Sequence, residues 1–205
     1  MKGRLALKLA FFVAVVASPI ASSPQGSRPR GGVVSLPTER TETIPSPDGA
    51  WALIAGPISE RTIILENLSD HKQTLVKEYE RSVQVGWSPD SRAFFVNDAY
   101  VSNLEDAFVY WIDSKKPLLL NDAIRGRDKE ADMFPADHAY FQVGRWLSAH
   151  EVLVEYCGHG GENPAQQFDF VYAVSFAGPD ESKVRIHRVS RTVRPLNLSA
   201  PDCKF

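Results

Sequence analysis

Short apolar runs alternate with polar turns along most of this chain. Residues 83–98, VQVGWSPDSRAFFVND, contain two apolar runs on either side of Ser88-Pro89-Asp90-Ser91. Proline suits the second position of a type I turn, and an Asp side chain can accept a hydrogen bond from backbone two residues on. Because the residues after the turn are nearly all apolar, the pattern predicts a strand that is covered on both faces.

The same unit occurs at residues 43–56, TIPSPDGAWALIAG. A degenerate copy occurs at residues 143–156, VGRWLSAHEVLVEY. The first two turns begin 42 residues apart, at Ser46 and Ser88. A fixed period near 40 is typical of propeller blades and other repeat arrays.

Trp87 and Trp146 occupy the same place in the second and third copies but lie 59 residues apart, which predicts an insertion at residues 121–139. This insertion is charged and lacks strand-like alternation. We interpret it as a solvated connecting loop. A short helix that begins at Asn121 or Asp122, and a binding face, are the alternatives.

The remaining spacing predicts three groups of four strands, each connected as a meander. Aromatic and β-branched residues are frequent, and long stretches with a 3.6-residue period are absent, so the expected class is all-β. The predicted strands are 43–46, 50–56, 61–67 and 72–77, then 82–87, 92–97, 106–112 and 117–120, and finally 140–146, 151–156, 168–176 and 183–189. Four tryptophans fall in or beside these strands and are expected in the core rather than on a sugar-stacking surface: Trp51, Trp87, Trp111 and Trp146.

The repeated unit resembles the WD-like repeats of the TolB-type β-propellers. The matching residues are Ser46, Pro47, Asp48 and Gly49, then Trp87, Ser88, Pro89, Asp90 and Ser91, with a weaker match at Trp146. The resemblance implies a propeller-like stack of antiparallel four-stranded sheets in which the turns are structural. Closed propellers usually have about 4–8 blades, and this chain supplies about three to four. We therefore expect an open stack, closure by oligomerisation, or collapse to a sandwich or barrel.

The N-terminus has the pattern of a secretory signal peptide. Lys2, Arg4 and Lys8 precede the apolar run 9–17, and small residues follow it. We assign residues 1–21 to this signal, with an uncleaved membrane anchor as the alternative, and expect a periplasmic or extracellular protein.

Residues 22–42 are rich in Ser, Pro, Gly and Arg, which predicts a flexible linker and leaves 43–205 as the repeat domain. The first 40 residues hold six basic residues and one acidic residue, whereas the rest hold 17 basic and 24 acidic residues. An acidic domain argues against general nucleic-acid binding. Cys157 and Cys203, in an exported chain, predict a disulfide that ties the C-terminal tail to the third strand group.

No hydrolase, P-loop or Rossmann motif is present in the sequence, so we predict no catalytic residue and no cofactor. Candidate binding residues lie in the insertion and in a glycine-rich segment, 157–164, that is expected to be a loop. They are Arg125, Arg127, His138, His159 and Glu162. Their spacing matches no zinc motif, so no metal site is predicted.

A basic stripe near the C-terminus is interpreted as protection of an edge strand, with an acidic partner as the alternative. It comprises Lys183, Arg185, His187, Arg188, Arg191 and Arg194.

The sequence thus favours an exported, non-catalytic protein that binds a protein partner and is compatible with homo-oligomerisation. The binding face would be the insertion, the segment 157–164 or the open end of the stack. The alternative is a small-ligand or metal-dependent enzyme or sensor in which His138, His159 and Glu162 converge in a pocket.

Overall fold

The computed structural model describes residues 32–134, 137–160, 163–197 and 203. Strands make up 56% and helices 8% of these residues, which confirms the all-β class. The strands are β1 (Val34–Leu36), β2 (Glu42–Pro45), β3 (Trp51–Ala55), β4 (Thr62–Asn67), β5 (Gln73–Glu78), β6 (Ser82–Trp87), β7 (Ala93–Ala99), β8 (Leu104–Trp111), β9 (Leu118–Leu119), β10 (His138–Ser148), β11 (Glu151–Gly160), β12 (Asn163–Ser175) and β13 (Arg185–Pro195). The helices are α1 (Leu120–Arg125), α2 (Lys129–Asp132) and a 3₁₀ turn (Glu181–Lys183).

Three antiparallel meanders account for most of these strands. The first meander, β2–β5, is a separate four-stranded sheet. The second meander, β6–β9, and the third, β10–β13, belong to one nine-stranded sheet. They are joined because β10 runs parallel to β8 over two residue pairs, Ala139 with Leu104 and Tyr140 with Glu105. No helix in the described part of the chain is long and apolar enough to cross a membrane.

Two hydrophobic cores lie on opposite faces of the second meander. Phe94 belongs to the first core, which is shared with the first meander, and its neighbour Phe95 belongs to the second core, which is shared with the third meander. Both rings are 1% exposed. Successive side chains of a strand point to opposite faces, so the apolar run after the Ser88 turn is buried on both sides, as its sequence predicted.

The two Ser-Pro-Asp turns have the same hydrogen bonds. In the first, the Ser46 hydroxyl donates to the Asp48 carboxylate at 2.6 Å and accepts the Trp51 N–H at 3.0 Å. In the second, Ser88 donates to Asp90 at 2.7 Å and accepts the N–H five residues on at 3.0 Å. Each Ser therefore bridges its own turn to the strand that follows.

Two tryptophans connect neighbouring meanders at equivalent positions. The indole N–H of Trp87 donates to the carbonyl of Ile44 at 3.0 Å, and that of Trp146 donates to the carbonyl of Gly86 at 3.0 Å. Ile44 and Gly86 are 42 residues apart, which is the period of the repeat. The second meander is therefore placed on the first by the same bond that places the third on the second.

The predicted linker is wrong in its last part. Residues 34–36 form β1, which pairs antiparallel with β6. The strand forms because Leu36, 3% exposed, packs in the first core. The assignment of residues 1–21 to a signal peptide concerns residues outside those that the structure describes.

The insertion is not a solvated loop. Leu120, Ala123 and Ile124 of α1 are fully buried in the second core. Their spacing of three and four residues is that of one helix face. α2 begins at Asp128, whose side chain accepts the Glu130 N–H at 3.0 Å. Most residues of this segment are polar or charged, so its sequence pattern did not reveal the short apolar face through which α1 packs in the core.

The C-terminal tail is attached to the third meander. Cys157 of β11 and Cys203 form a disulfide with a Cα–Cα distance of 5.6 Å, which confirms that prediction. Cys157 and Glu155 of the same strand are both fully buried. They alternate with Val154 and Tyr156 of the second core, so they lie on the other face of the third meander.

Candidate functional site

Two of the predicted binding residues are brought together. His138 begins β10 and His159 lies near the end of β11, and the two are direct partners in the antiparallel register. Their imidazole rings stack with centroids 4.2 Å apart and planes 13° apart. Both residues are half-buried. Glu162, the third predicted member, lies outside the described residues.

The glycines around His159 belong to a strand and not to the predicted loop, since β11 extends to Gly160. A Cβ at Gly158 would collide with the carbonyl oxygen of His138. Gly160 has φ of 99°, and a Cβ there would lie 3.2 Å from the carboxylate of Asp137. These glycines are needed because β10 approaches β11 closely at this point.

Arg125 and Arg127 do not join the histidines. The Arg125 guanidinium lies 5.3 Å from the ring centroid of Phe141 and 5.6 Å from that of Tyr156. Phe141 is three residues from His138 along β10, so the two side chains point to opposite faces of the strand.

Arg127 donates to the carbonyls of Val184 at 3.2 Å and Ala123 at 3.1 Å. It thereby fastens α1 to the segment that precedes β13. The structure therefore brings His138 and His159 together and places these two arginines elsewhere.

A group of buried and half-buried carboxylates lies where β7 ends and β8 begins, and no sequence motif predicted it. Asp98 and Asp106 are direct cross-strand partners. Lys77 of the first meander pairs with Asp98 at 2.8 Å, and Asn121 of α1 donates to Asp106 at 2.6 Å. The signal that could have found it is the presence of acids at the ends of otherwise apolar strands.

Glu105 lies beside these carboxylates at the contact between β8 and β10. It is 6% exposed, and Gln142 of β10 donates to it at 2.5 Å. Burial, together with the charges of Asp98 and Asp106, raises the pKa of Glu105 to about 7. Burial also raises the pKa of Asp106. The raised pKa of Glu105 predicts that the connection between the second and third meanders depends on pH.

Part of the basic stripe has an acidic partner within the chain. Arg188 lies 2.6 Å from Glu130 and 3.1 Å from Asp128, and Arg191 lies 2.5 Å from Glu130. Tyr172 donates to Asp128 at 3.0 Å. Arg188 and Arg191 therefore hold α2 against the third meander, so edge protection does not account for these two residues.

A groove of about 570 Å³ lies beside the first turn. Val34 and Ser35 of β1 line it, as do Thr43 and Ile44 of β2, and Trp87 contributes to its wall. β1 is the terminal strand of the large sheet and β2 is the terminal strand of the first meander. Each presents one edge that pairs with no other strand in the described part of the chain.

The charge at this groove is negative. Asp48 is the ionisable residue among those that line it. Hydrogen bonds from Ser46 and from the Ala50 N–H hold the pKa of Asp48 below its usual value. The carboxylate therefore stays ionised at neutral pH.

Comparison with protein-family models, with curated protein sequences and with solved structures found no match to this chain. Its function must therefore be inferred from the geometry of the molecule.

Proposed function

We propose that this protein is an exported, non-catalytic binding protein built from three propeller-like blades, and that it binds an extended segment of a partner protein. The groove lined by β1 and β2 carries the proposal, because each of these strands has one edge that pairs with no other strand among the described residues. Its volume of about 570 Å³ lies in the range typical of ligand-binding clefts.

The blade interpretation is supported by the repetition of contacts. Each meander has four strands, and Trp87 and Trp146 make the same bond one repeat apart. Three blades are fewer than a closed propeller usually has. In an open stack the first strand of a blade keeps one edge unpaired, as β2 does within the described part of the chain. The disulfide and the N-terminal sequence pattern support export.

An extended segment fits this groove better than a compact ligand. Unpaired strand edges offer backbone donors and acceptors at the spacing of another strand, which is the basis of recognition by strand addition. β1 already adds to the edge of β6 in this way. Because the Asp48 carboxylate lies in the groove, the bound segment should carry a basic side chain.

Site-specific photo-crosslinking in the source organism tests the proposal. A benzoylphenylalanine at Thr43, an exposed residue of the groove, should crosslink one partner protein. The matched control is the same residue at Leu75, which is 56% exposed on β5 of the same meander and is not among the groove residues. A crosslink at Leu75 and none at Thr43 would place the partner elsewhere and contradict the groove.

Charge provides the second test. Asp48→Asn keeps the shape of the turn but removes the carboxylate, so it should weaken capture of the crosslinked partner. An exposed acid outside the groove, changed as Glu78→Gln, should leave capture unchanged. Equal capture by the wild type and Asp48→Asn would contradict the expectation that the bound segment carries a basic side chain.

A further inference from the structure

We propose that His138 and His159 form a binding site for a divalent first-row metal ion of the class that imidazole prefers: Cu²⁺, Ni²⁺ or Zn²⁺. This site is independent of the groove.

The two imidazoles are already adjacent. They project from directly paired residues of β10 and β11 and stack with centroids 4.2 Å apart. A metal ion holds each imidazole nitrogen at about 2.0–2.1 Å, so two ligand nitrogens on one ion lie roughly 3 Å apart. The rings are nearly parallel, so the side chains must rotate and tilt toward each other for one nitrogen of each to reach the same ion.

The backbone around His138 is fixed on both sides by one residue. Asn103 donates from its side chain to the Asp137 carbonyl at 2.5 Å, and the Ala139 N–H donates to the Asn103 carbonyl at 2.9 Å. Since Asp137 and Ala139 flank His138, the position of this histidine is set before any ligand binds. Ligands held in place by a second layer of contacts bind more tightly than ligands on a mobile segment.

The backbone around His159 is fixed by sheet pairing and by its glycines. His159 pairs with His138 on one side and with Gln167 of β12 on the other. A side chain at Gly158 would push the two strands apart, because its Cβ would collide with the His138 carbonyl oxygen. The sequence Gly158-His159-Gly160 therefore permits the close approach that the two rings require.

One carboxylate lies near the histidines. That of Asp137 lies against Gly160, the residue after His159, but it does not form a three-ligand cluster with the two imidazoles. Within the described residues, Glu155, Cys157 and Cys203 form the single cluster of three or more ligand atoms with metal-like spacing, and its two sulfurs are joined in the disulfide. The two imidazoles thus provide the main ligands of the proposed site, and water molecules complete the coordination.

The test is a titration of tag-free, chelator-treated protein with Cu²⁺, Ni²⁺ and Zn²⁺, followed by calorimetry. The chain contains five histidines, so three matched controls are available: His71, His150 and His187. We expect one site per chain, with Cu²⁺ bound most tightly. His138→Ala and His159→Ala should each weaken binding at least tenfold, whereas alanine at each control position should not change it.

A second readout separates ligand loss from unfolding. The Cu²⁺ electron paramagnetic resonance spectrum should show nitrogen couplings that disappear in His159→Gln, a variant that should keep the wild-type circular dichroism spectrum. The proposal is overturned if the wild type binds none of the three ions at micromolar concentration. It is also overturned if folded His138→Ala and His159→Ala bind like the wild type, or if a control variant removes the site.

Discussion

At the first junction, between the first and second meanders, Trp87 donates to Ile44; at the second junction, Trp146 donates to Gly86. Both bonds measure 3.0 Å, but the two tryptophans are buried to different extents. Trp87 is 3% exposed, whereas Trp146 is only half-buried. The same hydrogen bond is thus formed by a buried tryptophan at the first junction and by a partly exposed one at the second.

The second junction has additional backbone contacts. β8 and β10 pair there, and the buried Asn97 side chain accepts the Val143 N–H at 2.8 Å and donates to the Val143 carbonyl at 3.1 Å. The first meander pairs with no strand of the large sheet in the described part of the chain. The first junction therefore depends on packing around Trp87 and on side-chain contacts such as that of Lys77 with Asp98, while the second junction also has strand pairing.

The largest expected effect is the loss of Trp87. Truncation of a buried tryptophan costs about 3–5 kcal/mol, so Trp87→Ala should lower the free energy of unfolding by about 4 kcal/mol. Trp146→Ala should cost about half as much, because the ring is partly exposed and other contacts hold its junction. Urea unfolding of both variants measures the difference. Equal losses would mean that the two junctions do not differ in their dependence on the tryptophan.

The next expected effect is the loss of the disulfide, which lies on the face of the third meander that points away from the second core. The disulfide closes a segment with a sequence separation of 46 residues. Such a crosslink stabilises by about 3 kcal/mol, so Cys203→Ala should lower the free energy of unfolding by that amount. Hydrogen exchange should increase in β11 and β12 and stay unchanged in β3 and β4. Faster exchange in β3 would show that the disulfide also stabilises the first junction.

The third prediction concerns the pH dependence of stability that Glu105 gives to the second junction. Because the folded-state pKa of Glu105 is raised to about 7 from 4.5, the folded protein keeps a proton that the unfolded chain releases. Stability should therefore fall as pH rises from about 4.5 to 7, and this loss should persist above pH 7.

Glu105→Gln should remove this pH dependence and increase the free energy of unfolding at pH 8 by about 3 kcal/mol, with little change at pH 4. The control is Glu78→Gln, which alters an exposed carboxylate of the first meander and should leave the pH profile as in the wild type. A Glu105→Gln profile with the same slope as the wild type between pH 4.5 and 7 would rule out Glu105 as the titrating group.

The smallest effect tests the contact between the two turns at the first junction. Ser91 has φ of 64°, and its hydroxyl accepts the Asp48 N–H at 3.0 Å. Ser91→Ala keeps the unfavourable backbone conformation and removes the bond, so it should cost about 1 kcal/mol. Ser91→Gly loses the bond but relieves the backbone, so its net effect should be near zero. Melting temperatures distinguish the two variants, and equal values would contradict this account.

Local sequence was sufficient for the strands and turns of the first meander. The Ser-Pro-Asp segments specify their own hydrogen bonds, and the alternation of apolar residues specifies which strands are covered. These features depend on residues that are near neighbours in the chain. For that reason the predicted strands of the first meander agree with the observed bounds to within one residue.

The all-β class, the period of about 42 residues and the cysteine pair can thus be read from the amino-acid sequence. Long-range packing is needed to show that β1 adds to β6, that Arg188 and Arg191 hold α2, and that His138 meets His159 but not Arg125. Each of these contacts joins residues that are far apart in the chain. Their formation depends on sheet register and on the shape of the cores, which the pattern of one segment does not specify.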